Sequence, residues 1–335
     1  MHRRFILGML TPSARVRGAA GVLLAKCALL FVTLVLLSLL VFFGGQYLPG
    51  DIGRAILGPL SDPQAVANLN HQLGVDRPLF EQYSGWIVAF AQGDMGVSYL
   101  LREPVAPIVL GALFNSLKLG AMAFLIVVPL GILGGVAGAL HQGRWIDRAI
   151  TIGGVSATVV PEFVSALGLI LVFGVWLQWL PIDAVVPEDA GWVEQLRHRV
   201  LPVLPLILGY FGYIARMARA GMIEALDADY TRTATLKGLP RRVVVVRHVL
   251  RNALLPTLTV SATQLGYMIG GLVVVETLFH YQGIGSVIYN AAKSKDFPVL
   301  EASVLLIGVV YTLSNLSADI LNVLLNPRLR SRGNA

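Results

Sequence analysis

Asp229-Tyr230-Thr231-Arg232-Thr233-Ala234-Thr235-Leu236-Lys237-Gly238-Leu239-Pro240-Arg241-Arg242 opens a basic stretch that ends, after four valines, in Arg247-His248-Val249-Leu250-Arg251. Long apolar runs flank it on both sides. A charged segment so placed either faces water as an ordinary loop or docks on another protein. Which of the two holds decides what the chain does.

The surroundings fix the solvent. The 335 residues are 56% hydrophobic and 13% charged, whereas a soluble domain is about 45–50% apolar and about 25% charged. Such a composition suits a chain solvated by lipid. The net charge of +7 is clustered beside apolar runs, as the positive-inside rule expects. A nucleic-acid surface would spread its charge along one face with aromatics between, so nucleic acid is not expected as a partner. Cys27 is the single cysteine. It excludes an intrachain disulfide and reads as a small hydrophobe at the start of an apolar run.

Six stretches reach the roughly 20 residues that a bilayer crossing needs. They lie near 27–48, 115–140, 150–178, 200–222, 256–277 and 300–324. Pro202 and Pro205 make the fourth the weakest. The first follows a basic leader and reads as a retained anchor, being long for a cleaved signal core. The expected class is all-α transmembrane, a six-helix polytopic bundle with a sizeable segment between helices 1 and 2.

Lys and Arg set the orientation. Arg3, Arg4, Arg15, Arg17 and Lys26 precede the first span with no acid among them. Residues 49–112 carry six acids against Arg54, Arg77 and Arg102. Arg144 and Arg148 mark the next loop, residues 181–199 are acid-rich again, and Arg216 to Arg251 holds eight basic residues and three acids. Arg328, Arg330 and Arg332 close the tail. Apart from Lys293 and Lys295 the loops alternate in sign, which places both termini and 229–251 in the cytoplasm. The organisation is therefore a basic leader 1–26, helix 1 at 27–48, an extracytoplasmic segment 49–112, a core 113–325 with a cytoplasmic loop 223–255, and a basic tail 326–335.

Gly131, Gly134, Gly135 and Gly138 recur on one helical face. The face reads either as a site of close helix approach or as ordinary glycine tolerance in a membrane helix. Asn315, Asp319 and Asn322 also share a face. A charge at mid-bilayer costs at least about 2.5–3.5 kcal/mol, so these residues point into the bundle or towards an interface. They read as pathway or gate residues, or as polar glue, and Gln264 and Glu276 carry the same alternative. Lys118 lies near the outer end of the second span, where it can snorkel.

Chemistry is sparse. The chain has no G-x-x-x-x-G-K-S/T phosphate loop, no H-E-x-x-H and no G-x-S-x-G. Its six histidines are scattered without metal-ligand spacing. No catalytic, metal or cofactor site is expected, and any energised work takes its energy from another chain.

Asp229 reads as an N-cap and Lys237-Gly238 as a helix stop, which leaves about two turns between them. Pro240 fits the first position of a second helix, which Pro256 is expected to end or kink. Two turns are marginal alone in water, as befits something gripped by a partner.

The run from Glu224 to Leu239, followed by Arg247-His248-Val249-Leu250-Arg251-Asn252-Ala253-Leu254-Leu255-Pro256, resembles the coupling loop of bacterial ABC-importer permeases. The branch it resembles is the dipeptide/oligopeptide/nickel permease family, with the pattern D-Y-V-R-T-A-R-A-K-G-L and then R-H-A-L-R-N-A-L-x-P. Leu48-Pro49-Gly50-Asp51, Leu73 to Leu79, Gln82-Tyr83, Gly93 to Ser98 with Pro104-Val105, Val275-Glu276, Gly283-Ile284-Gly285, Asp296-Phe297-Pro298, Asn315-Leu316 with Asp319, and Asn326-Pro327-Arg328 extend the likeness. Arg232-Thr233-Ala234 replaces the Glu-Ala-Ala of the broader permease signature, and Gln282 stands where a Pro-Gly-x-Gly turn has its proline.

The resemblance implies the type I ABC importer kind of bundle in a bacterial inner membrane. The chain would form half of a translocation path for di- or oligopeptides. It would work with a second permease subunit, two ATPase subunits holding ATP and Mg, and an extracytoplasmic substrate-binding protein. Asp229, Tyr230, Arg232, Thr233, Ala234, Lys237 and Gly238 would form the ATPase-coupling element. Nickel or another small solute is the alternative cargo, and an ATP-independent channel or secondary transporter the alternative machine.

Overall fold

A computed structural model describes residues 19–46, 51–58, 60–187 and 190–325. The first 18 residues of the leader, Leu48-Pro49-Gly50 and the tail from Asn326 lie outside the described residues. Among those described, no strand forms beyond an isolated antiparallel bridge between Val97 and Pro104.

The first long helix, α1 (Ala19–Gln46), begins inside the stretch expected as leader. It exposes Leu24, Leu29, Phe31, Leu36 and Leu40, a surface that only lipid or another apolar chain covers favourably. Three short helices follow, α2 (Ile52–Leu57), α3 (Pro63–Leu73) and α4 (Leu79–Ala91). Asp51 caps α2 by accepting from the Arg54 N–H at 2.9 Å. Its other oxygen takes the Asn70 amide at 2.8 Å, which ties α2 to α3. Gly74, at φ +69°, ends α3. Helix α4 lies on α1 through Phe42, Tyr83 and Trp86 and through a 2.8 Å hydrogen bond between the Ser38 and Tyr83 hydroxyls.

Helix α5 (Val105–Leu140) starts eight residues before the expected boundary of the core at 113. At about 1.5 Å per residue its 36 residues separate two ends of the molecule. One end holds α2–α4, where Val105, Val109, Ile284, Phe297 and Leu300 form a core. At the other, Ala139 joins Met222, Ala234 and Val249. Between them lies a core of Leu119, Val127, Leu206, Ile214 and Leu272.

The third expected span is not one straight helix. Residues 150–178 divide between α6 (Trp145–Val159) and α7 (Glu162–Leu169), which continues as a π-helical stretch Ile170–Trp176. The two halves meet at 105°. Pro161 lacks an N–H and disfavours the helical region for the residue before it, and Val160 is accordingly extended, at φ −69° and ψ 124°. Pro202 and Pro205 do the opposite. Both are buried inside α8 (Trp192–Asp227), which runs unbroken for 36 residues. Among the described residues, five helices have the length and composition to cross a membrane, or six if the bent pair counts as one span.

Helix α9 (Asp229–Leu236) follows. Then α10 (Arg241–Val243), a π-helical stretch Val244–Val249 and α11 (Leu250–Leu278) form one long helical rod. Pro256 lies inside α11, so the expected break before the fifth span does not occur there. The fold closes with α12 (Ile284–Ser294) and α13 (Phe297–Leu325).

Candidate functional site

Helix α9 is built for presentation. Its N-cap position is Ala228, at φ −70° and ψ 149°, and no side chain caps it. Asp229 is therefore the first helical residue rather than the cap, and its carboxylate acts through the positive end of the helix dipole. The C-terminus is a full Schellman stop. Gly238 N–H donates to Thr235 C=O at 3.0 Å, Leu239 N–H donates to Ala234 C=O at 3.4 Å, and Gly238 sits at φ +79°.

One face of α9 is anchored. Thr231 and Ala234 are buried, and the Thr231 hydroxyl donates to Ala225 C=O on α8 at 2.7 Å. Ala234 packs in the core with Met222, Ala225, Val244 and Val249. The opposite face is open. Leu236 is 82% exposed and Tyr230 41%, and Arg232, Thr233 and Lys237 are exposed beside them. Leu239, Val243 and Val246 prolong this surface among Arg241, Arg242 and Arg247. A solvated loop has no need of exposed Leu and Val between its charges. An apolar strip rimmed by cations suits a protein partner with an apolar groove and acidic edges.

Two braces hold the helices that carry α9. The glycine face of α5 meets α8 at close range. A Cβ at Gly131 would lie 2.7 Å from Ile214, and one at Gly135 would run into the Ala215 carbonyl and stand 2.5 Å from Ala218. Gly134 faces Phe211, and Gly138 faces Asp147 and Arg219. The second brace is that last pair. Arg219 on α8 donates twice to the Asp147 carboxylate, at 2.5 and 2.7 Å, and Gly143 N–H donates to it at 2.9 Å. Asp147 is 5% exposed. Sequence reasoning passed over this pair, reading the 141–149 loop by its arginines alone. The available signal was a lone acid between Arg144 and Arg148.

The residues read as a pathway or gate are dispersed. Glu276, fully buried near the end of α11, accepts from the Ser116 hydroxyl at 2.5 Å and from Gly285 N–H at 2.7 Å. It also accepts from Ser286 N–H at 3.3 Å and so serves as the N-terminal anion of α12. A Cβ at Gly283 would overlap the Glu276 carboxylate, and one at Gly285 would stand 2.8 Å from it. The Gly-x-Gly turn is therefore the seat of this side chain. Asp319, at the other end of α13, forms an ion pair with Lys26 of α1. Asn315 and Gln264 are half-buried on α13 and α11. The described structure does not gather these four into one site. Lys118 lies over the Phe114 ring at 4.3 Å. Asn322 falls where no side chain is described.

Comparison with known proteins places the chain in a family. The family model for the binding-protein-dependent transport system inner membrane component matches residues 127–331, and the model for the N-terminal part of such membrane components matches 21–119. The glutathione transport system permease protein GsiC of Escherichia coli strain K12 is 36% identical over 301 residues, covering 90% of this chain and 96% of that protein. GsiC of Shigella flexneri serotype 5b strain 8401 matches at the same identity and coverage. Among solved structures, a crystal structure of an amino acid ABC transporter with histidines covers 66% of this chain and 94% of its own, at 17% identity and a TM-score of 0.47.

Proposed function

The chain belongs to the family of inner membrane components of binding-protein-dependent transport systems, and from that premise we propose that it forms half of a peptide-importing path driven through α9. The single observation that carries the coupling role is the architecture of α9, a two-turn helix stopped by Gly238, anchored by Thr231 and Ala234, and exposing Tyr230, Arg232, Leu236 and Lys237. A short rigid helix fixed to α8 transmits a push as rigid-body motion. In this reading a pair of ATPase subunits binds ATP and Mg, grips α9 and moves α8 and α11 with it. A second permease subunit completes the path, and a substrate-binding protein delivers cargo at the α2–α4 end.

The alternation of loop charge supports a cytoplasmic α9 and an extracytoplasmic α2–α4 segment. Family membership supports an inner-membrane location. The glutathione-transport description of the GsiC relatives supports a small peptide as cargo, glutathione among them.

The test is copurification. The tagged chain, extracted from its native host in mild detergent, is expected to bring ATPase chains with it. Substitution of Tyr230, Arg232, Leu236 and Lys237 by serine is expected to release them while the chain stays in the membrane. Retention of the ATPase by that variant would overturn the role of α9.

A further inference from the structure

At the end of the molecule remote from α9, the α2–α4 segment closes against α1 and the start of α13 around a cavity of about 460 Å³. This is within the size range of small-molecule sites, about 300–1,000 Å³. Its chemistry is sorted by depth. Glu301, one turn into α13 and 5% exposed, lines the cavity. Among the described residues no hydrogen bond or ion pair reaches its carboxylate. The Trp86 ring lies against Phe42, and its indole Nε1 is buried without a hydrogen-bond partner. Tyr99 and Phe297 add two further aromatic rings. Burial, together with the charges of Glu301 and Asp296, pushes the Tyr99 phenol up to about 12, so it meets the cavity as a neutral hydroxyl. Arg77 and Arg102, both exposed, also line the cavity and are the only cationic side chains among its described lining residues, with the exposed Glu81 beside them.

A buried carboxylate without a partner is costly. Glu301 lines this aromatic-walled space and calls for a ligand that satisfies it. An ammonium group does so, and aromatic faces favour it further. The exposed guanidiniums at the mouth suit a carboxylate at the ligand's other end. We propose that this cavity is a binding site for a small zwitterion with a free amino group, of amino-acid to dipeptide size, its ammonium on Glu301 and its carboxylate towards Arg77 and Arg102. Asp296 fixes the wall of the site. It accepts from the Ser98 hydroxyl and from Tyr99 N–H at 3.0 Å, joining the 96–104 loop to the start of α13. A ligand bridging Glu301 and the α3–α4 region adds to that joint. The assignment rests on the cavity alone and stands whether or not α9 binds an ATPase.

The test is calorimetry on the full chain in lipid nanodiscs with three probes, L-alanyl-L-alanine, its N-acetyl derivative and L-alanyl-L-alanine amide. The free dipeptide is expected to bind at one site per chain and to raise the unfolding temperature. Blocking the amine is expected to abolish binding, and amidation to weaken it. Glu301→Gln is expected to lower affinity by about 10- to 100-fold, the effect of losing a charge-assisted hydrogen bond. No heat with any probe, or equal binding of the N-acetyl dipeptide, overturns the proposal on the wild-type chain alone. Undiminished binding by a folded Glu301→Gln chain overturns it as well.

Discussion

Position 238 has room for a side chain but not the backbone angle for one. Nothing lies within 4 Å of a Cβ built there, yet φ is +79°. Gly238→Val must therefore strain or unwind the stop that ends α9, at a cost of about 1–2 kcal/mol. Transport in proteoliposomes is expected to fall severely while membrane insertion persists, and wild-type uptake coupled to ATP hydrolysis would count against α9 as the coupling element. Gly135 presents the reverse case. Its conformation is ordinary, but Ala215, Ala218 and Arg219 leave no space for a methyl group. Gly135→Ala is expected to destabilise by about 1–3 kcal/mol, read as a lower unfolding temperature in detergent. Gly153 on α6 has nothing within 4 Å, so Gly153→Ala should match or exceed wild type, since alanine favours a helix by about 1 kcal/mol. The spacing of Gly131, Gly134, Gly135 and Gly138 was visible in the sequence. Which of two possible meanings it had was not, because only the position of α8 shows that backbone fills the space.

Between elements, the Asp147–Arg219 pair joins the start of α6 to α8, about two turns before α8 ends at Asp227 and hands over to α9. Removing one partner of a buried pair costs about 3–5 kcal/mol. Asp147→Ala is expected to lose about that much in mixed-micelle unfolding, and replacing both partners by apolar residues to lose less. Equal losses in the single and double variants would mean that the pair is not an energetic unit. Glu276 links three elements in the same manner, seating α12 against α11 and α5. Proline behaviour divides the helices instructively. Pro161 bends its span by 105°, whereas Pro202, Pro205 and Pro256 are carried inside helices. The local rule is the same at each, but neighbouring helices in a lipid-solvated bundle can re-satisfy the freed backbone groups. That tertiary contribution is why the Pro256 region departed from expectation, whereas residues 150–178 departed because Pro161 acted locally. The dispersal of Gln264, Glu276, Asn315 and Asp319 has a similar origin, since each shares a helical pattern that says nothing of which end of the bundle it occupies.

At the scale of the molecule, α5 sets two ends apart, and the charge pattern supports the orientation proposed for them. In a Cys27→Ala background, a membrane-impermeant maleimide applied to intact cells is expected to label His71→Cys on α3, whose side chain is 85% exposed. It should spare Lys237→Cys until the membrane is broken, and labelling of both alike would remove the orientation proposed here. The sequence by itself determined the lipid solvent, the positions of the apolar stretches, the basic segment, its Lys237-Gly238 stop and the family resemblance. These are properties of composition, period and local backbone preference, which survive without knowledge of neighbours. Only the tertiary structure decided the rest: that the glycine face meets α8, that Asp147 finds Arg219 and Glu276 finds Gly285, that α9 buries Thr231 and presents Leu236, and that Glu301 and Trp86 face one cavity. Those outcomes depend on residues far apart in the chain being brought within a few ångströms, and burial decides which polar groups gain a partner and which do not.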